Sequence, residues 1–363
     1  MIIGAIVLCF VGLVVYLLVF THVFMRNYNV LGTHIKDTST TTQPLSIIPQ
    51  PVTLDVTAYN AKLKVIANNP PPRIIKRATT STPAVYATTT YAWPVKAVLP
   101  NGGALLPFNR IVAYYGNYYS TLMGVLGQYS EDEMLKKLQG VVAEWQAADP
   151  STPVIPAIDY IDVTAQGSPG KDGKYRLRMP DTQIDKSLAI AAKVNGIVIL
   201  DIQVGLSNVQ SELPLLQNYL KLPNVQLALD PEFSMKDGAR PDTEIGTMDA
   251  TDINYVSNYL AGIVSQYNLP PKILVVHRFT EDMVTHYKNI VTLPQVQIVM
   301  DMDGWGSQAK KINTYQRVIE SEPVQFTGFK LFYKNDLLPP STGMLTPAQI
   351  LQLTPNPSFI QYQ

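Results

Sequence analysis

The chain has 363 residues, of which 46% are hydrophobic, so it can bury a substantial core in one or two domains. Lys and Arg together number 28, as do Asp and Glu, and the formal net charge is zero. This balance argues against a nucleic acid as a partner. The single cysteine, Cys9, lies in an apolar segment, so the rest of the chain has neither a disulfide nor a thiolate metal site.

The N-terminal segment has the composition of a membrane span. Residues 2–25 contain no charged side chain, and the apolar run 2–20 would form about 30 Å of helix. A basic n-region and a small-residue cleavage site are both missing, which favours an uncleaved anchor over residues 1–25 rather than a signal peptide. Arg26 and Lys36 follow the span, and by the positive-inside rule they favour a cytoplasmic location for the remainder.

Residues 26–100 are rich in Thr, Ser and Pro, as in the runs 38–42 and 70–72. This composition predicts an extended linker or stalk that lifts a domain away from a membrane. Because such stalks are typical of exported proteins, we expect the domain to be extracytoplasmic despite the two basic residues after the span. A small hairpin formed by 52–57 and 63–66 is the alternative interpretation.

After residue 100, strand-like apolar runs alternate with helix-like segments. The predicted strands are 110–115, 153–158, 196–204, 225–229, 272–277, 296–303, 326–333 and 358–362. The predicted helices are 130–148, 182–194, 209–222, 250–266, 307–320 and 346–353. Ser130 and Glu133 match a capping box at the first helix. This order predicts a (β/α)8 TIM barrel, an α/β fold, over residues 101–363, with an open doubly wound sheet as the main alternative.

Three of the predicted strands end in polar residues two positions apart. The pairs are Asp201 with Gln203, Asp230 with Glu232, and Asp301 with Asp303. Side chains two positions apart share one face of a strand, so each pair is expected at a common mouth. Because the active sites of TIM barrels lie where strands end, the pattern predicts an active site. The alternative is that each Asp caps a following loop or helix.

The end of the fourth predicted strand resembles the chitinase-like, family-18 glycoside hydrolases. Asp230, Glu232 and Phe233 match that family's Asp-x-Glu followed by an aromatic residue, in which the Glu is the proton donor. On the sixth strand, residues 300–303 read Met-Asp-Met-Asp and match the family's Met-x-(Tyr/Met)-Asp. The barrel also resembles unassigned bacterial cell-envelope proteins. The resemblance implies a cell-envelope glycoside hydrolase acting on or binding an N-acetylated polysaccharide such as chitin or peptidoglycan, and the predicted span at residues 1–25 would anchor it in the membrane.

The sequence departs from the family-18 pattern at two places. Residues 225–228 replace the preceding Asp-Gly-x-x-Asp half of the motif, and Pro231 replaces the usual aromatic residue. Where the pattern matches, the resemblance implies that Glu232 is the acid and that Asp230 orients the substrate's acetamido group. A neighbouring carboxylate would raise the pKa of the acid by repulsion between like charges.

Further side chains at the predicted strand ends are candidates for substrate binding. Asp301 or Asp303 would hold Asp230 or the sugar, and Tyr115, Tyr160 or Tyr333 would donate to the acetamido oxygen. The remaining candidates are Asp201, Gln203, Asp159, His277, Arg278, Lys330 and Trp305. Trp305 would stack on a sugar ring or plug the barrel top. His277 would be a general base, a metal ligand or a structural group, and Lys330 a buried counter-ion of the acids.

Two other classes of function remain open at this point. A metal-dependent hydrolase or phosphodiesterase would bind Mg²⁺ or Ca²⁺ through the carboxylates, with His277 and Arg278 meeting the phosphate. A non-catalytic carbohydrate-binding barrel would keep the shape without the activity. No Gly-x-Gly-x-x-Gly follows the first strand, so we expect no dinucleotide, and the favoured glycosidase needs neither a cofactor nor a metal.

Overall fold

A closed barrel of eight parallel strands dominates this computed structural model, which describes residues 53–72, 74–76, 83, 85–86 and 90–363. The barrel strands are β1 (Arg110–Gly116), β2 (Val154–Ala165), β3 (Ile197–Ile202), β4 (Val225–Leu229), β5 (Lys272–Arg278), β6 (Val296–Met302), β7 (Phe326–Leu331) and β8 (Phe359–Tyr362). Each strand pairs in parallel with the next, and β8 pairs with β1. This closure confirms the predicted TIM barrel and excludes the open sheet.

Helices and short segments connect the strands. The α-helices are α1 (Val56–Ala67), α2 (Glu131–Ala148), α3 (Asp181–Ala192), α4 (Val209–Glu212), α5 (Gln217–Leu220), α6 (Ala250–Tyr267), α7 (Gln308–Tyr315) and α8 (Pro347–Ile350). The 3₁₀ segments are Leu213–Leu216, Pro231–Phe233, Tyr287–Asn289 and Asn335–Leu337, and a π-helical turn covers Gln316–Glu320. The strands outside the barrel are Ile74–Lys76, Val85–Tyr86, Arg176–Arg178, Met248–Asp249 and Val284–Thr285.

Two local predictions are wrong in detail. The helix predicted over 209–222 consists of three short segments. Pro214 has no N–H to donate to the preceding turn, so the α-helix is interrupted by the 3₁₀ segment Leu213–Leu216. The capping box predicted at Ser130 does not form, since its side chain makes no capping hydrogen bond. Acidic residues in the first turn of α2 complement the helix dipole there.

Side chains alternate between the two faces of each strand, so the residues inside the barrel and those outside it form two separate apolar cores. In β1, Ile111 and Ala113 belong to the core inside the barrel, whereas Val112 and Tyr114 pack in the outer core against the helices. Residues of the other strands, such as Val275, complete the inner core. The inner core fills the half of the barrel near the N-terminal ends of the strands, so only the opposite end is available for polar groups.

Helix α1 packs against the same inner core. The side chain of Tyr59 is 2% exposed and makes an edge contact with Phe108, with ring centroids 6.1 Å apart. Asn68, which caps the helix, donates to the carbonyl of Leu353 at 2.9 Å. The hairpin alternative for 52–57 and 63–66 is therefore wrong, because these residues bury one face of a helix. Residues 56–67 are helical, whereas the predicted stalk was extended. The division into domains at residue 101 stays a prediction.

The predicted membrane span at residues 1–25 lies outside the described residues. Within the described ranges, no helix is both long and apolar enough to cross a membrane. The anchor and the extracytoplasmic location therefore stay predictions.

We expect Tyr59→Ala to destabilise the protein by about 3 kcal/mol, because it empties a buried aromatic site at the base of the barrel. Val65→Ala on the same helix is the matched control, since Val65 is 64% exposed and its truncation should change stability by less than about 0.5 kcal/mol. Urea unfolding of the full chain measures both values. Equal effects of the two substitutions would show that α1 does not stabilise the barrel through Tyr59.

Candidate active site

A layer of polar side chains lies above the inner apolar core. Each barrel strand, or the residue directly after it, supplies one member, and none is more than 3% exposed. The members are Tyr115, Asp159, Asp201, Asp230, His277, Asp301, Lys330 and Gln361. Hydrogen bonds and ion pairs between non-adjacent strands, such as β1 with the end of β4, show that these side chains face the barrel interior. We call this set the polar layer.

Gln361 is the member of the polar layer that the sequence analysis missed. Its Nε2 donates to Oδ2 of Asp159 at 2.6 Å. The alternation of β8 contains the signal, because Phe359 lies in the inner core and Gln361, two residues later, must face the same way.

A cavity of about 720 Å³ opens above the polar layer. Its polar lining includes Tyr115, Gln203, Glu232, Asp303 and Lys330. Its rim carries Phe279, Lys310 and Arg317, which sequence reasoning missed, together with Trp305 and with Phe233 of the Asp-x-Glu motif. The ring of Trp305 is 47% exposed, so it lines the cavity instead of plugging the barrel top.

Asp230 lies just beneath the floor of this cavity. Its Oδ2 accepts hydrogen bonds from Oη of Tyr115 at 3.2 Å and from Nε2 of Gln203 at 2.9 Å. Gln203 also donates to Oη of Tyr115 at 3.1 Å, so the three side chains fix one another. Because Asp230 is 1% exposed and does not line the cavity, these contacts leave it no direct path to a bound ligand.

Glu232 is the acid that reaches the cavity from this strand. It follows β4 in the 3₁₀ turn Pro231–Phe233 and is half-buried. One oxygen each from Asp230, Glu232 and Asp303 lie within 4.8 Å of one another. Burial and the charges of Asp230 and Asp303 raise the pKa of Glu232 well above its usual value. Glu232 is therefore a carboxylic acid beside an open cavity that keeps its proton to higher pH than an isolated glutamic acid.

Lys330 is the counter-ion of these acids, as the sequence predicted. Its Nζ donates to Oδ2 of Asp303 at 3.1 Å and lies 3.9 Å from the ring centroid of Tyr115. Burial alone would lower the pKa of Lys330, but the charges of Asp303, Asp230 and other acids outweigh it and raise the pKa. The lysine therefore stays charged, which argues against a role as an amine nucleophile.

His277 lies between carboxylates on either side of its ring. Nδ1 is 3.0 Å from Oδ2 of Asp301, and Nε2 is 3.3 Å from Oδ2 of Asp201. Burial would lower the pKa of His277, but the charge of Asp230 and the contacts with Asp201 and Asp301 raise it well above its usual value. An imidazolium in this position would neutralise part of the surrounding negative charge.

Other acids of the interior share this electrostatic environment. Burial, and then the charge of Asp230, raise the pKa of Asp201 to about 6. Burial also raises the pKa of Asp303 to about 6, although Lys330 and His277 oppose it. Burial and the charge of Asp201 raise the pKa of Asp159 well above its usual value. The interior therefore holds protons more tightly than isolated carboxyl groups would.

Three predicted candidates point away from this site. Arg278 forms an ion pair with Glu322 and donates to backbone carbonyls, Tyr333 bonds to Tyr114 at 3.0 Å between hydroxyls, and Tyr160 stacks on Tyr118. Arg278 and Tyr160 directly follow inward-facing residues of their strands, so alternation turns their side chains toward the helices, whereas Tyr333 lies beyond the end of β7. Their predicted roles in substrate binding stay predictions that these contacts do not support.

A buried ion pair supports the loop that carries Trp305. Nζ of Lys311 lies 2.9 Å from Oδ2 of Asp336 and donates to the carbonyls of Gly304 and Lys330, each at 2.8 Å. These bonds tie the end of β6 to the end of β7. The rim of the cavity is thus held to the strands that position Asp303 and Lys330.

No protein-family model and no curated protein matches this chain. Among solved structures it is similar to the cellulase Cel5C_n, with a TM-score of 0.36, 13% identity, and coverage of 61% of this chain and 65% of that one. It is also similar to the Bacillus subtilis mannanase BCman, with a TM-score of 0.33, 12% identity, and coverage of 71% and 81%. A third is Plasmodium falciparum HPPK-DHPS with pteroate, with a TM-score of 0.31, 9% identity, and coverage of 73% and 47%.

The chain spans less than two thirds of the length of the cellulase chain it matches. Two of the three similar structures carry the names of glycoside hydrolases, and none is named as a family-18 enzyme. Membership of the chitinase-like family 18 is not shown by these comparisons. At these TM-scores the structural matches carry no argument about activity.

Proposed function

We propose that this protein is a glycoside hydrolase-like barrel that acts on a polysaccharide, with Glu232 as the general acid. The observation that carries the proposal is the position of Glu232, half-buried in the wall of a 720 Å³ cavity with oxygens of Asp230 and Asp303 within 4.8 Å. Protonating a glycosidic oxygen needs a carboxylic acid whose pKa is raised, and burial beside two carboxylates provides it.

Asp303 is the second carboxylate that a sugar in the cavity would meet. It lines the cavity, whereas Asp230 does not, and Lys330 holds its Oδ2 at 3.1 Å. Two carboxyl groups about 5 Å apart are typical of retaining glycosidases, in which the second carboxylate attacks the sugar. Asp230 then acts from beneath, through its charge on Glu232 and its bonds to Tyr115 and Gln203.

The rim of the cavity suits a carbohydrate. Trp305 presents a half-exposed ring, with Phe233 and Phe279 on the same lining, and aromatic faces stack on the apolar faces of sugar rings. We further propose that the substrate is an N-acetylated glycan, such as chitin or peptidoglycan, because the sequence around Glu232 and Asp303 resembles the chitinase-like family.

We also propose that the protein lies in the cell envelope, with residues 1–25 as its membrane anchor.

We expect Glu232→Gln to keep the fold and glycan binding while lowering turnover by about 10²–10⁴-fold, the usual contribution of a positioned acid. Turnover is measured on chitin oligosaccharides, peptidoglycan fragments and non-acetylated polysaccharides, with binding measured by calorimetry. Glu244→Gln, an exposed acid of the loop that follows Glu232, is the matched control and should behave like the wild type. If the wild type neither binds nor cleaves any of these glycans, the glycosidase proposal fails.

The pH dependence of kcat/KM should fall at alkaline pH, because the acid must be protonated and Glu232 loses its proton there. Asp303→Asn removes a repulsive charge and leaves Lys330 uncompensated, and both changes lower the pKa of Glu232. The alkaline limb of the residual activity should therefore move to lower pH, whereas Asp242→Asn at the exposed rim should leave it in place. An alkaline limb that does not move in Asp303→Asn would contradict this assignment.

Protease added to intact cells that produce the protein should release a soluble fragment containing the barrel, because we place the barrel outside the membrane and the anchor at residues 1–25. Immunoblotting of the medium and of the membrane fraction measures the release. Cleavage that occurs only after lysis would place the barrel in the cytoplasm.

A further inference from the structure

We propose that Asp201, Asp230 and His277 form a binding site for one divalent transition-metal cation beneath the floor of the cavity. One potential ligand atom from each of the three lies within 4.8 Å of the other two. All three side chains are at most 1% exposed. The proposal concerns a site distinct from the acid Glu232, and it does not depend on the glycosidase function.

Buried atoms without partners point to a missing ligand at this place. Within the described part of the chain, neither oxygen of Asp201 has a hydrogen-bond partner, and the same holds for Oδ1 of Asp230 and Nε2 of His277. Nε2 of His277 lies 3.3 Å from Oδ2 of Asp201, which is an ion-pair distance without the geometry of a hydrogen bond. Fully buried polar atoms are nearly always satisfied, so four unpartnered atoms on three residues this close together point to a group that binds there.

The hydrogen bonds of His277 and Asp230 use one polar atom of each residue and leave the other without a partner. Nδ1 of His277 contacts Oδ2 of Asp301 at 3.0 Å, which is the carboxylate contact that typically fixes a metal-binding histidine. Oδ2 of Asp230 is occupied by Tyr115 and Gln203, so its Oδ1 stays available. One imidazole nitrogen with carboxylate oxygens suits Zn²⁺ or Mn²⁺ better than Mg²⁺ or Ca²⁺, which prefer oxygen ligands alone.

A second triad, Asp230 with Glu232 and Asp303, is less suited to a cation. Oδ2 of Asp303 already accepts from the ammonium group of Lys330, which would repel a metal ion. Neither Asp201 nor His277 lines the cavity. The proposed cation therefore joins the ends of β3, β4 and β5 from below and holds Asp230 in place, without contacting a ligand in the cavity.

Metal binding by the full-length protein, purified in detergent and stripped with a chelator, tests the proposal. Zn²⁺ and Mn²⁺ are titrated by calorimetry, and bound metal is counted by elemental analysis after dialysis. We expect one cation per chain in the wild type. Asp301→Asn keeps the three ligands but removes the group that orients His277, and it should weaken affinity by about 10–100-fold. Asp201→Asn removes a ligand and should weaken affinity at least as much.

Asp162→Asn is the matched control for the loss of a buried acid. Asp162 is 3% exposed on β2, and its charge interacts with Asp181 and Glu212 instead of the polar layer. This variant should bind metal like the wild type, as should Glu232→Gln, whose loss of turnover would be a separate observation. Circular dichroism shows whether each variant folds. If Asp201→Asn does not fold, the test rests on Asp301→Asn. Failure of the wild type to bind either ion stoichiometrically, or equal weakening in Asp162→Asn, would overturn the proposal.

Discussion

The concentration of six carboxyl groups inside one barrel, five of them buried and that of Glu232 half-buried, is the constraint on which the rest of the structure depends. The acids are Asp159, Asp201, Asp230, Glu232, Asp301 and Asp303, and His277 and Lys330 are the cationic partners at the same level. Full ionisation would leave four negative charges uncompensated, which a low-dielectric interior does not tolerate. Protons on the acids, Lys330, and either an imidazolium at His277 or the proposed cation offset this excess charge, because Nε2 of His277 cannot carry a proton and bind a metal at once. Gly328 fits the same constraint, because a Cβ there would lie 2.3 Å from Oδ1 of Asp301.

The apolar half of the barrel makes this concentration of charge possible. Ile111, Ile199 and Val275 fill the interior below the acids, and α1 packs on the same core through Tyr59. The polar layer is therefore closed from below, and the cavity opens on its other side, at the C-terminal ends of the strands. The same geometry separates Glu232 and Asp303, which reach the cavity, from Asp201 and His277, which do not. Depth in the barrel thus distinguishes groups that can meet a substrate from groups that can only act through a neighbour.

Strand alternation explains how far the sequence could predict the fold and the site. The apolar runs predicted all eight strands, and the i, i+2 pairs placed Asp201 with Gln203 and Asp301 with Asp303 correctly, because two-residue periodicity needs no tertiary information. The same rule, applied consistently, would have excluded Arg278 and included Gln361. Helix α1 was beyond this reasoning, since its apolar residues are only weakly segregated to one face and it is stabilised by packing Tyr59 on the barrel. Aromatic and cationic rim residues lie on loops, where no periodicity assigns a direction.

Asp230 is the residue that joins the two halves of the site. It belongs to both groups of three potential ligands, accepts from Tyr115 and Gln203 through one oxygen, and has no hydrogen-bond partner for the other oxygen in the described structure. A substitution of Asp230 would therefore change the acid Glu232 and the proposed metal site together, and its effect could not be assigned to either. Glu232 and Asp201 separate the two roles, because only Glu232 lines the cavity and only Asp201 has both oxygens buried without a partner in the described structure. Depth in the barrel therefore separates two roles. Glu232 at the cavity wall can donate a proton, and the groups one layer below compensate charge.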